Sequence, residues 1–215
     1  LFKLEGAEMR RKDELAIDKI MECAKREFLE KGFENASMRN IAESAGYSTG
    51  MLYGRFADKG ELFKALVKDT ADEFLAFYSA SQKEFADLSP DIQFNDMHSY
   101  VGKRTDEMIG YVYDHFDEFK LIISKSKGSE YEKYVDKIIE VETDNTMRYI
   151  NDLNAAGFKV NNVRADLSHM LATAMFNGMF EVVEHDFTRE EATLYIKELQ
   201  CFFNAGWDSL LGLTK

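Results

Sequence analysis

Apolar positions return every three or four residues along most of the chain, the spacing of helices that bury one face. In MRRKDELAIDKIMECAKREFLEKG, Ile17, Ile20, Met21, Ala24 and Phe28 share a side, and Gly32 stands where a left-handed residue ends a helix. Ser37 is placed to cap MRNIAES, Ala45 and Gly46 close that segment, and Ser48 is placed to cap TGMLYGRF. Asp58 and Glu61 have the spacing of a capping box and open a long helix through Leu62, Phe63, Leu66 and Val67. Four helices in about seventy residues, the middle two nearly touching, make a helix-turn-helix layout.

Helical patterns continue beyond Asp69 over Asp96–Tyr113, Phe116–Ser126, Glu130–Ala156, Arg164–His185 and Arg189–Leu211. Pro90, the single proline, marks a loop, and Gly128 and Gly157 sit at junctions. Thr188 and Glu191 form a second capping box. The last two helices are apolar on more than one face and carry the internal glycines Gly178 and Gly206. A glycine inside a helix lowers stability unless something approaches closely there.

Composition narrows the class. The 215 residues are 45% hydrophobic and 31% charged, an ordinary globular mix. One proline and 13 glycines supply too few turns for a many-stranded protein, so an all-α fold is expected. No apolar run reaches the roughly 18 residues of a membrane helix. The opening LFKLEGAEMRRKDE lacks the apolar core of a secretion signal, and Met9 is a possible start. A cytoplasmic protein with reduced thiols at Cys23 and Cys201, no membrane partner and no cofactor is the expectation.

Charge divides the chain in two. Residues 1–68 hold 13 Lys and Arg against 12 Asp and Glu, whereas residues 69–215 hold 14 against 27. The acidic body would repel a polyanion; the near-neutral head need not. Within the head, Ile41, Ala42, Ala45, Leu52 and Phe56 are the positions that clamp two short helices onto their neighbours. That leaves Arg39, Ser48, Thr49, Gly50, Tyr53 and Arg55 facing outward as candidate DNA-contacting residues, with Lys59 placed beside them. Small polar residues let a helix start enter a major groove, and the cations and Tyr53 are spaced to reach phosphates beside it. The bland alternatives are a packing aromatic at Tyr53 and ordinary solvated charges at Arg39 and Lys59. Arg10, Arg11 and Lys12 read either as a minor-groove arm or as a basic end.

The stretch FLEKGFENASMRNIAESAGYSTGMLYGRFADKGELF resembles the DNA-binding domain of the TetR family of bacterial repressors, continuously from about Asp13 to Leu66. The pieces that carry the likeness are Phe28, Gly32, Ile41, Ala42, Gly46, Ser48, Gly50, Leu52, Tyr53, Phe56, Lys59 and Leu62. It departs at Thr49, where the family often has a basic residue, and at Gly54 and Arg55, where an aromatic or histidine pair is common. The resemblance implies a helix-turn-helix DNA-binding domain at 9–68 and a helical effector-binding and dimerisation domain at 69–215. It implies a homodimeric regulator, expected to be a repressor, that reads palindromic operator DNA and is released by a small-molecule effector. Residue by residue, it assigns phosphate contact to Ser37, the reading helix to Ser48–Arg55, and a backbone anchor to Lys59.

The same resemblance places the dimer interface on the last two helices. The candidate stripe is Leu171, Ala174, Met175, Gly178, Met179 and Val182, facing Phe203, Gly206, Trp207 and Leu210. It also places a pocket inside the body, with Met108, Tyr111, Val112, Phe116, Phe119, Met147, Ile150, Phe176 and Phe180 as candidate lining. Aromatics and methionines suit an apolar or amphipathic ligand better than a sugar or nucleotide, though plain core is the competing reading for each of them.

Catalytic patterns do not emerge. His98, His115, His169 and His185 are scattered, with no HExxH, GxSxG or phosphate loop. Glu181 and His185 are four apart, half of a metal site or a surface pair, and the second reading is preferred because no further ligand pair is evident. No enzyme activity and no metal are expected. The alternative to a DNA-binding regulator is a helical protein-binding or structural bundle.

Overall fold

The computed structural model describes residues 2–213, with side chains from Asp13 to Leu213, and it is helical without strands among those residues. The helices in chain order are α1 (Phe2–Asn35), α2 (Met38–Ala45), α3 (Thr49–Tyr53), α4 (Lys59–Ala86) and α5 (Pro90–Asp114), followed by α6 (Phe116–Ser124), α7 (Tyr134–Ala155), α8 (Ala165–Glu184) and α9 (Arg189–Leu211).

Local chemistry sets most of these boundaries. Ser37 Oγ accepts the Asn40 N–H at 3.4 Å, and Ser48 Oγ accepts that of Met51 at 3.2 Å. Each thereby satisfies a donor that a helix start leaves free. Gly32 breaks α1 three residues before its end at φ 72°, and Gly46 ends α2 in the left-handed conformation at φ 79°; glycine adopts such positive φ without steric cost. The Thr188–Glu191 capping box is complete at α9.

Two starts differ from expectation. α5 begins at Pro90 instead of Asp96, with Ser89 in the N-cap position. A proline in the first turn loses nothing, because its missing N–H would have no helical partner. Gln93 then donates to the Ala86 carbonyl at 3.1 Å and to that of Leu88 at 2.8 Å, satisfying acceptors where α4 ends. α7 starts at Tyr134, four residues later than expected; the turn before it has Gly128 at φ 83°, its N–H donating to Glu132.

The helices gather into two compact units. The first comprises the chain as far as Asp69 together with Lys120–Glu132; the second comprises Thr70–Phe119 and the chain from Lys133 onward. Residues 120–132 thus join the N-terminal unit, although the sequence reading placed them in the body. In the first unit Ile20, Ala24, Phe28, Ile41, Ala42, Leu52, Leu62, Phe63 and Val67 have no exposed surface. Phe63 meets Phe28 edge-on, with ring centroids 5.0 Å apart, and Phe33 at 5.3 Å. Such pairs add to the burial energy of the rings. In the second unit Tyr149, Ile150, Leu153, Val160, Val163 and Leu211 form one buried cluster, against which Phe85, Phe94, Met97, Phe158 and Trp207 pack.

Candidate DNA interface and effector cavity

The first unit presents α3 as a five-residue helix anchored on one side and open on the other. Leu52 is fully buried, while Ser48 and Gly50 are exposed, Thr49 is half-buried and Tyr53 is 51% exposed. That exposure leaves α3's start and Tyr53 free to meet a partner, and Leu52 with the α2 residues Ile41, Ala42 and Ala45 fixes their orientation.

The cations around α3 are held within the unit. Arg39 donates to Glu43 at 2.7 Å on the exposed side of α2. Arg55 donates to Asp13 at 2.9 Å, a contact from the end of the helix pair back to α1. Lys59 donates to the carbonyls of Glu34 and Ala36 at 3.0 and 3.2 Å and lies 4.7 Å from the Phe33 ring centre. Its ammonium closes the exit of α1, where backbone acceptors lack helical partners. Ser37 half-faces solvent, with its own N–H donating to the Glu27 carboxylate at 3.1 Å. The side chains of Arg10, Arg11 and Lys12 lie outside those described.

The second unit encloses a cavity of about 190 Å³, against the roughly 10–15 Å³ that one water needs. α4 contributes Phe74, Tyr78, Gln82 and Phe85 to its wall; α5 contributes Met97, Tyr100, Arg104, Thr105, Met108, Ile109 and Val112. α7 adds Glu142, Thr146 and Tyr149, α8 adds Met175, Phe176, Met179, Phe180 and Val182, and α9 adds Ile196, Gln200 and Phe203.

Of the residues singled out for a pocket, Met108, Val112, Phe176 and Phe180 line this cavity, whereas Tyr111, Phe116, Phe119, Met147 and Ile150 do not. Phe119 is fully buried against Phe74, with ring centroids 5.0 Å apart. Ile150 belongs to the buried cluster around Leu153, Tyr111 donates to Glu73 at 2.8 Å, and Phe116 rests on Tyr113.

The stripe assigned to a dimer interface also looks largely inward. Met175, Met179, Val182 and Phe203 line the cavity, and Val182 is only 2% exposed. Gly178 admits Leu199 of α9 so closely that a Cβ there would lie 3.2 Å from it, and Trp207 packs on the Tyr149–Leu153 cluster. Leu171 is half-buried, whereas Ala174, Gly206 and Leu210 are exposed. The outward apolar residues of these helices include Met170 and Leu167 on α8 and Leu194 and Phe202 on α9.

The wall's polar members were missed. Glu142 follows Ile138 and Ile139 and precedes Tyr149 by one helical heptad on the buried side of α7. A charged residue in register with an apolar stripe is the signal that could have found it. Burial pushes the Glu142 carboxyl above its ordinary value, against the opposing hydrogen bonds from Tyr78, Thr146 and Gln82. Burial and the neighbouring carboxylate likewise push the Tyr78 hydroxyl up.

Glu181 and His185 pair at 2.9 Å on the surface, and among the described residues no group of three or more His, Cys, Asp or Glu is disposed to hold an ion. Among the same residues no helix is long and apolar enough to cross a membrane.

Residues 20–66 match the family described as bacterial regulatory proteins, tetR family. Over 52 residues the chain is 42% identical to the HTH-type transcriptional repressor AcnR of Corynebacterium efficiens, a match covering 24% of this chain and 28% of that repressor. A longer match, 24% identical over 123 residues and covering 55% of each chain, is to the uncharacterized HTH-type transcriptional regulator YfiR of Bacillus subtilis. The fold is shared with solved structures of a TetR-family regulator from Syntrophomonas wolfei (TM-score 0.58, 20% identity, 94% of this chain and 100% of that one) and a TetR-like regulator from Rhodococcus sp. RHA1 (TM-score 0.57, 17% identity, 89% and 96%).

Proposed function

We propose that the chain, whose residues 20–66 match the tetR family of bacterial regulatory proteins, is a ligand-responsive transcriptional repressor of that family. It binds palindromic operator DNA as a homodimer and leaves it when a small apolar or amphipathic effector occupies the cavity of the second unit. The observation that carries this reading is α3 itself, with Leu52 buried and Ser48, Gly50 and Tyr53 exposed. A reading helix this short is too small to give specific affinity alone, and two of them one DNA turn apart, roughly 34–36 Å, supply it together.

In this reading Ser48, Thr49 and Gly50 meet base edges, while Ser37, Arg39, Tyr53 and Arg55 meet phosphates. Lys59 acts from behind by fixing the end of α1. The two compact units correspond to the DNA-binding and effector domains. α4 supplies both Lys59 of the head and Tyr78 of the cavity wall, so a ligand pressing on its second half biases the spacing of the heads in the dimer. No chemical step is involved, and the protein acts in the cytoplasm.

Selection of bound duplexes from a random-sequence pool tests the proposal. An enriched inverted repeat, bound by two copies of the chain, is the expected result. Enrichment of no sequence, with binding that merely follows ionic strength, would favour the alternative of a protein-binding helical bundle.

A further inference from the structure

The cavity wall is mostly aromatic and aliphatic, yet one ionisable group on it has, among the described residues, only neutral partners. Glu142 accepts hydrogen bonds from the Tyr78 hydroxyl, from Gln82 Nε2 at 2.7 Å and from the Thr146 hydroxyl at 3.4 Å. The two guanidinium groups on the same wall are matched elsewhere. Arg104 pairs with Glu84 and, at 2.8 Å, with Glu107, while Arg148 pairs with Asp152 at 3.4 Å. The charge left without a counterion is therefore negative.

Burying a carboxylate without a cation is costly, whereas hydrogen bonding and an opposite charge together can offset the loss of water. We propose that the cavity takes a lipophilic organic cation, its positive centre set against Glu142 and its apolar body against the aromatic wall. Tyr78, Phe85, Tyr100, Tyr149 and Phe176 present rings to that space, and ring faces attract a desolvated cation in addition to burying its carbon. An anionic amphiphile would need Arg104 or Arg148 to give up a carboxylate already in place. Occupancy by a cation would also favour the ionised Glu142, which burial alone disfavours in the free protein.

This inference rests on the reading of the cavity as the effector site, and the test separates the two. Isothermal titration of the full chain would use tetraphenylphosphonium, its near-isosteric anion tetraphenylborate, and the neutral N-phenyl-1-naphthylamine. The cation is expected to bind at least tenfold more tightly than the anion. Glu142→Gln is expected to weaken the cation at least tenfold and to leave the neutral probe unchanged. Because the cation–anion comparison needs only the unaltered protein, a poorly folding variant would not spoil it. Equal affinities, or tighter binding of the anion, overturn the inference while neutral-probe binding keeps the effector site. A cation affinity indifferent to Glu142→Gln overturns it as well. If none of the three probes binds, the effector-site reading falls and the inference with it.

Discussion

Glu27 Oε1 accepts the backbone N–H of Ser37 at 3.1 Å, so the residue that caps α2 is itself held by α1. The same carboxylate receives Lys31 at 3.2 Å and Asn40 Nδ2 at 3.3 Å, and its side chain is only 10% exposed. Glu27→Ala is expected to cost about 1–3 kcal/mol, because it removes one charged acceptor shared by three part-buried hydrogen bonds. Chemical denaturation of the variant would reveal that loss.

The same carboxylate predicts an acid response. Burial pushes Glu27 up, but the Ser37 amide, Lys31 and Asn40 outweigh it and hold the group below its ordinary value of 4.5. A depressed folded-state value stabilises above the unfolded one and is lost as pH falls through the folded one. The unaltered protein should therefore lose stability more steeply below about pH 4.5 than Glu27→Gln does. Parallel melting curves from pH 6 down to pH 3 would check this, and identical slopes would contradict it.

Lys59→Met keeps the aliphatic stem but removes the donors to Glu34 and Ala36 and the cation beside Phe33. Losing hydrogen bonds to charged groups costs about 1.5–3 kcal/mol, and for a chain of this size each kcal/mol lowers Tm by roughly 2–4 °C. A falling Tm together with equal losses on cognate and scrambled duplex is expected. An unchanged Tm with the same DNA loss would instead make Lys59 a direct phosphate ligand.

Thr49 is the position at which base preference should change. It opens α3 beside exposed Ser48 and Gly50 and is itself half-buried. Thr49→Ala is expected to alter the order of affinities among operator variants by about 1–3 kcal/mol at one base step. A uniform loss on every duplex would make its role one of positioning. Competition binding over single-base substitutions distinguishes the outcomes.

The helix ends were legible because their causes are local: Ser37, Ser48 and Thr188 cap through amides three residues away, and Gly32 and Gly46 need only their own backbone freedom. Of the residues expected at a pocket, Met108, Val112, Phe176 and Phe180 line the cavity and the other five do not. Phe119 and Phe176 carry the same apolar signature, yet only the packing of α4 and α5 makes one solid core and the other a wall. Val182 and Met170 show the same limit on α8. Both lie on apolar faces, and the sequence does not say which face α9 and the cavity will cover. Glu142 went unread because a glutamate on a helix usually points to water, and the buried setting that reverses this is tertiary.

The exposed side of α8 and α9 predicts where the proposed dimer closes. Met170, Leu194 and Phe202 are 67%, 63% and 72% exposed, while Ala174 and Gly206 beside them offer little side-chain obstruction to an approaching helix. Val182, from the stripe first chosen for this role, is covered by its own chain. The prediction is thus a contrast between two substitutions. Phe202→Glu should raise the dimer dissociation constant by two orders of magnitude or more, about 3 kcal/mol, with little change in helicity, because its target face is already solvated in the monomer. Val182→Ala should lower Tm by removing buried carbon beside the cavity, and leave association untouched. Sedimentation over a concentration series reads both. If Val182→Ala dissociates the dimer and Phe202→Glu does not, the interface lies elsewhere and the inward stripe must turn outward in the assembled protein.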